Sequence, residues 1–309
     1  MTAASVGKSN LELVNDCDKS PREPARLWWF MLERCTQPVG RLDSYVKSQI
    51  PVGSAHWRID PDRRTVTLLG TSRDERDARM DVFLRSMRNS GILSELSAWT
   101  GEENAVYGPG RSVLLSLERA AAPLFGITTY GVQLLAYTNT IDGLKVWLQK
   151  RARHKQTYAG LLDSTVGGRI RSDESPLQAL VREADEEATI PPDMVQEAAI
   201  AVGAVSYLDI TQERVPGQGV RLNPDTRLIY ELELPTDLQP VPKDGEVEEF
   251  VLLDMKEMNE AMRMGRCTPG KALIMLDFFI RRGILNYENE PDYLEIVSRL
   301  HRNHEHGYA

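Results

Sequence analysis

The sequence predicts an α/β protein: an α/β/α sandwich with a mixed sheet, preceded by a small α+β domain. Three observations carry that prediction. Strand-like runs (Tyr130 to Tyr137, Lys145 to Arg151, Ile200 to Asp209, Arg227 to Leu234 and Phe250 to Leu253) stand on both sides of one amphipathic helix that begins at Ser175-Pro176. A further helical stretch, Lys271 to Arg282, lies near the end, which fits a sheet with helices on its faces. The chain has 309 residues and is 41% hydrophobic, enough to build two domains with buried cores. The boundaries expected are 1–125 for the first domain, 126–285 for the sandwich and 286–309 for a C-terminal helix and tail.

Taken in order, Met1 to Asn10 is small and polar, and Leu11 to Cys17 suits a short helix. Arg26 to Cys35 carries Leu27, Trp28, Phe30 and Met31 and reads as a strand or a helix, periodicity not deciding which. Thr65 to Leu69 reads as a strand after the Pro61-Asp62 turn, and Arg73 to Ser90 as a surface helix stopped by Gly91. Trp28, Trp29, Trp57 and Trp99 fall in this first third, where core packing is the better reading than a substrate-stacking surface. In the second domain, Lys145 to Arg151 alternates as a half-buried strand should. Thr211 to Asp225 carries Pro216, Gly217, Gly219 and Pro224 and reads as a loop that flanks a substrate. Met255 to Met264 is a helix, and Thr268-Pro269 opens the last long one, which Gly283 stops.

Composition excludes several functions. The formal net charge is −8 with no long Lys/Arg run, which disfavours a nucleic-acid partner. Cys17, Cys35 and Cys267 are scattered, with no Cys-x-x-Cys pair, which argues for reduced thiols and against a disulfide framework or zinc site. No apolar run approaches membrane-spanning length and the start lacks a signal-peptide core, so a cytoplasmic protein without a membrane partner is expected.

The chemistry concentrates between Gly168 and Ile190. Gly168 is followed after five residues by Glu174 and, after seven more, by Arg182-Glu183-Ala184-Asp185-Glu186-Glu187. Ser175 is a good N-cap and Pro176 suits the first helical position. On the helix they open, Leu177, Leu180, Val181, Ala184 and Ala188 form an apolar stripe, while Glu183, Glu186 and Glu187 project together beside it. Each like-charged pair costs roughly 0.2–0.5 kcal/mol on an exposed helix. A hard cation would turn that repulsion into attraction, because Mg²⁺ is held by carboxylates and phosphate oxygens. A solvated acidic face is the alternative for three glutamates alone.

The full spacing resembles the box of the Nudix hydrolases, except that Thr189 stands where that family has glycine. The resemblance implies a metal site formed by Glu183, Glu186 and Glu187 with the main-chain carbonyl of Gly167. It implies that Glu174 and Arg182 form a structural ion pair, and that Mg²⁺ or Mn²⁺ is the cofactor. Glu183 is the first choice of general base, with Glu246, Glu248 and Glu249 as alternatives. Arg151, Arg153 and Lys155 are candidates to meet phosphate charge, or are surface solubilisers. Ala120 to Ile127, Lys155 to Asp163, Asp244 to Phe250 and Glu290 to Leu294 resemble one eukaryotic Nudix subfamily, with an extra N-terminal domain and described as related to thiamine pyrophosphokinase. That resemblance implies hydrolysis of thiamine diphosphate or its oxidised forms to the monophosphate and phosphate, with the first domain shaping the substrate site. A nucleotide conjugate such as ADP-ribose is the alternative substrate, and a non-catalytic diphosphate-binding module the alternative function. The oligomeric state is not readable from the sequence.

Overall fold

The structure, a computed structural model of the chain, describes residues 7–19, 27–155, 157–211 and 219–304. In chain order, the first part holds α1 (Asn10–Cys17), β1 (Leu27–Leu32), β2 (Gly40–Asp43), α2 (Ser44–Ser48), β3 (Trp57–Asp60), β4 (Thr65–Leu68), α3 (Arg73–Ser90), β5 (Glu103–Tyr107) and β6 (Val113–Glu118). The second part holds β7 (Thr129–Thr140), β8 (Gly143–Arg151), β9 (Leu162–Asp163), β10 (Val166–Arg169), α4 (Pro176–Ala188), α5 (Pro192–Ala198), β11 (Ile200–Thr211), β12 (Arg221–Glu233), β13 (Val247–Asp254), α6 (Met255–Arg263), α7 (Pro269–Arg281) and α8 (Tyr293–Leu300). No helix among the described residues is long and apolar enough to cross a membrane.

Residues 27–125 build an α+β unit on a sheet ordered β2-β1-β4-β3, beside a β5–β6 hairpin. The undecided stretch after Arg26 is therefore a strand: Leu27, Phe30 and Leu32 bury while β1 pairs with both β2 and β4. Trp57 is buried in the same core and stacks on Phe125 at 6.2 Å between ring centroids. Trp28, Trp29 and Trp99 are half-buried, each under a Lys or Arg side chain.

The second part is an α/β/α sandwich. Among the described residues its sheet runs β11-β12-β7-β8-β13, parallel only between β12 and β7. Val132, Leu134 and Leu232 pack under α4 on one face, and Leu135, Val205 and Ile229 pack under α7 on the other. The sheet forks between β7 and β8. The two pair directly only from Tyr137↔Val146 to Thr140↔Gly143, and upstream β10 takes over pairing with β7 and β9 with β8. Thr165 bridges the fork, accepting from the Ala136 amide at 2.8 Å and donating to the Trp147 carbonyl at 2.5 Å. The fork opens the space in which the functional residues sit.

Two details differ from the sequence reading. Thr211 to Asp225 is not all loop: Pro216 and Gly217 lie outside the described residues, whereas Arg221 to Asp225 is already strand. Pro224 is tolerated there because it pairs only with Leu208, the β7 ladder starting at Asp225, so no donor is demanded on its second side. The helix α1 packs with the second core, not with residues 27–125. Its Leu13, Val14 and Cys17 are buried beside α7 and α8.

That placement sets a stability test. Truncating Leu13 to Ala is expected to cost about 2–5 kcal/mol, the usual range for deleting a buried leucine side chain. Denaturant unfolding followed by a probe in residues 126–300 should report that loss. A fragment starting at residue 126 should be less stable than one to which residues 7–19 are fused.

Candidate active site

The site is built on α4. Ser175 accepts from the Gln178 amide while the Gln178 side chain accepts from the Ser175 amide, and Pro176 occupies the first turn. At the far end Thr189 adopts a left-handed conformation (φ 53°), a position that favours glycine. Two contacts offset the cost: Thr189 Oγ1 donates to the Val241 carbonyl at 2.8 Å, and the Ile190 amide donates to the Ala184 carbonyl. The helix thus keeps its stop without the glycine.

Ala179, Leu180, Ala184 and Ala188 are buried against the sheet, and this fixes how the three glutamates are presented. Glu187 is only 6% exposed; its Oε2 accepts from the Gly167 amide at 2.9 Å and from Gln149 Nε2 at 3.4 Å. Burial pushes its carboxyl well above the usual range, the Gly167 amide only partly opposing this. Glu183 is half-buried and also raised by burial. It lies so close to β10 that a Cβ on Gly168 would sit 1.9 Å from Glu183 Oε1, so a side chain there would push the Glu183 carboxylate out of place. Glu186 is the most solvated, its side chain 48% exposed.

Arg182 ties these groups to the loop ahead of the helix. Its Nη2 and Nε reach the two oxygens of Glu174 at 2.7 and 3.1 Å, and Nη1 reaches Glu183 at 2.8 Å and Glu186 at 3.2 Å. Nη2 also donates to the Arg169 carbonyl. Burial alone would push the Glu174 carboxyl up, but the Arg182 fork and the Arg171 amide outweigh it and hold it below the ordinary value.

The other sequence candidates separate. Glu246 enters the cleft and pairs with Lys155 at 2.6 Å. Glu248 and Glu249 lie on β13, bound to Lys150 at 3.1 and 2.8 Å, and do not line the cleft. Arg153 pairs with Glu248 at 3.4 Å and Arg151 with Asp163 at 3.4 Å, so neither cation is left unpaired. The sequence reading missed Asp244. Carboxylate oxygens of Glu187, Asp244 and Glu246 all lie within 4.8 Å of one another. Asp244 and Glu246 are held in one turn: the Asp244 side chain accepts from the Glu246 amide, and Gly245 between them has φ 82°. An all-carboxylate oxygen set, one member buried at the back of the cleft, suits a hard divalent cation such as Mg²⁺ or Mn²⁺.

The cleft, about 1260 Å³, extends from these acids across the sheet edge to a second group that the sequence reading also missed: Arg169, Arg227 and Lys271. Burial brings the Arg169 guanidinium down to about 10, with the neighbouring Arg227 pushing the same way. Glu102 and Arg119, paired at 2.7 Å, line the cleft from the first domain.

Comparison with known proteins shows the family. The NUDIX domain model matches residues 132–269, and a domain of unknown function, DUF4743, matches residues 11–129. Nudix hydrolase 20, chloroplastic, of Arabidopsis thaliana is 33% identical over 305 residues, covering 94% of this chain and 76% of that protein. This chain is a member of the Nudix hydrolase family. It is therefore an enzyme of the diphosphate-hydrolysing kind. The uncharacterized protein YJR142W of Saccharomyces cerevisiae is 32% identical over 252 residues, 80% of this chain and 73% of that one. Among solved structures, DR0079 from Deinococcus radiodurans is 19% identical with a TM-score of 0.39, covering 59% of this chain and 98% of that one.

Two outcomes follow for the Nudix ion pair. Arg182→Ala strands Glu174 and Glu183 and should cost on the order of 2–4 kcal/mol, between the limits for buried and exposed pairs. Because the Glu174 carboxyl is depressed in the folded state, its contribution is complete above the ordinary value of 4.5 and is lost as pH falls below it. Glu174→Gln should therefore flatten the acid limb of melting temperature against pH while lowering stability at neutral pH.

Proposed function

We propose that the enzyme hydrolyses the diphosphate linkage of thiamine diphosphate or its oxidised derivatives, releasing the monophosphate and orthophosphate. The observation that carries the chemistry is the buried Glu187 carboxylate, fixed by the Gly167 amide at the back of a cleft and within ligand reach of Asp244 and Glu246. The substrate rests on the resemblance of the extra N-terminal domain and the segments around Leu124, Tyr158, Gly245 and Pro291 to the thiamine-related subfamily. Glu183, Glu186 and Glu187, with the Gly167 carbonyl, are the residues to hold the metal, and Asp244 and Glu246 can complete the oxygen set. When bound, Mg²⁺ or Mn²⁺ neutralises diphosphate oxygens and lowers the pKa of water.

The remaining work falls to the chain. Glu183, held by Arg182 and packed on Gly168, is a positioned acceptor for the proton that water loses as its oxygen bonds to phosphorus. The bridging P–O bond breaks in the same displacement, and its oxygen leaves with one of the two phosphates. Arg182 keeps the Glu183 carboxylate aimed and stays out of the proton transfer. Glu102 and Arg119 give the first domain a wall of the substrate cleft.

Glu187→Gln tests the reading. The variant should stay folded, lose most of its turnover, and show a smaller melting shift with millimolar-range Mg²⁺, since that shift follows RT ln(1 + [L]/Kd). Near-wild-type turnover with an unchanged metal shift would refute it. Product analysis across thiamine diphosphate, its oxidised forms and ADP-ribose then decides the substrate.

A further inference from the structure

Three cations meet on the face of the sheet opposite α4. Register places Arg169 on β10 opposite Gly131 on β7, and Gly131 in turn opposite Arg227 on β12. The glycine makes room: a Cβ on Gly131 would lie 2.0 Å from Arg227 Nη1. Lys271 enters from the first turn of α7, whose N-cap residue Thr268 gives no side-chain hydrogen bond to the helix. Two of the cations are partly answered. Arg227 holds Asp225 at 2.6 Å, and Lys271 stands 3.6 Å from Asp163, a carboxylate it shares with Arg151. Arg169 is different. The residue is half-buried, and its Nη1, which is closed off from solvent, has no hydrogen-bond partner among the described residues. Gln133 Nε2, beside it on the cleft wall, is also buried and unpartnered. Both unsatisfied groups are donors, and leaving such groups buried costs free energy unless a ligand supplies acceptors.

Four cations, Arg151, Arg169, Arg227 and Lys271, thus face three carboxylates at one end of the cleft: Asp163, Asp225 and, within electrostatic reach of Lys271, Glu187. The surplus positive charge, the fork of Arg169 and the unpartnered Gln133 amide donor together fit a tetrahedral dianion. We propose that Arg169, Arg227 and Lys271 form a phosphate subsite separate from the carboxylate cluster, and that it selects diphosphate monoesters, whose free terminal phosphate is dianionic, over diphosphates esterified at both ends. The substrate-class part rests on the diphosphate-hydrolase reading above; the subsite itself does not.

The test uses the full chain in two arms. In EDTA, without divalent metal, inorganic phosphate and methyl phosphate are titrated calorimetrically into wild type, Arg169→Met and Lys271→Met. Saturable one-site binding is expected in wild type and a loss of about tenfold or more in each variant. Arg169→Met should also melt at or above the wild-type temperature without ligand, because an unpaired buried cation is gone; a purely structural arginine would give the reverse. In the second arm, with Mg²⁺, the ratio of kcat/KM for a diphosphate monoester over a doubly esterified one should fall about tenfold in Arg169→Met. Absence of metal-free phosphate binding, binding indifferent to both substitutions, or a lowered melting temperature in Arg169→Met overturns the subsite. Binding lost with an unchanged selectivity ratio overturns the substrate class. Failure of the metal reading is seen separately, because Glu187→Gln should still bind phosphate in EDTA.

Discussion

The hydrogen bond from the Gly167 amide to the Glu187 carboxylate joins an edge segment of the sheet to the helix that carries the acids, and the geometry around it is arranged to permit it. A carboxylate that is 6% exposed needs donors, and here a main-chain amide and the Gln149 side chain supply them. The amide is available because β10 occupies the fork between β7 and β8. The approach is close because Gly167 faces Gln133 and Gly168 faces Glu183, with no room for a Cβ at either. Fork, glycine pair and apolar helix stripe are one construction, and shifting any of them misplaces the acid.

Charge is segregated along the resulting cleft. Acids collect where α4 and the Asp244–Glu246 turn meet; cations collect beneath α7, on the other face of the same short strand. Consecutive residues of β10 serve both ends: Gly168 faces α4, and Arg169 faces α7. A ligand whose negative charge sits at one end lies across this gradient in one direction, with that end at the cations, since a metal-free acidic end repels it.

Much of this was legible in the sequence, and the residues it missed share a cause. The strands and α4 were readable because period and caps are local; the pairing of Glu174 with Arg182 was an implication of the resemblance of the whole box. Asp244 was not, because its nearness to Glu187 depends on how the segment before β13 returns to the end of α4. Arg169 sat inside the recognised stretch yet carried no signal, since its significance depends on the parallel pairing of β12 with β7, which sets Arg227 beside it. Glu248 and Glu249 were overread for the opposite reason. Their strand begins earlier than its apolar run, so cross-strand Lys150 takes both carboxylates.

Asp18, at the end of α1, is 4% exposed and accepts from Arg299 Nε at 3.0 Å, Arg302 Nη1 at 2.7 Å and the Leu208 amide at 3.1 Å. One carboxylate thus clasps an early helix, a mid-chain strand and the segment after α8. On a ribosome, synthesis runs from the N-terminus, so residues 27–125 can complete their own core while α1 still lacks the surfaces it covers. A helix made early thus waits for the surfaces it covers, and the Asp18 clasp closes only once residues near 300 have been made.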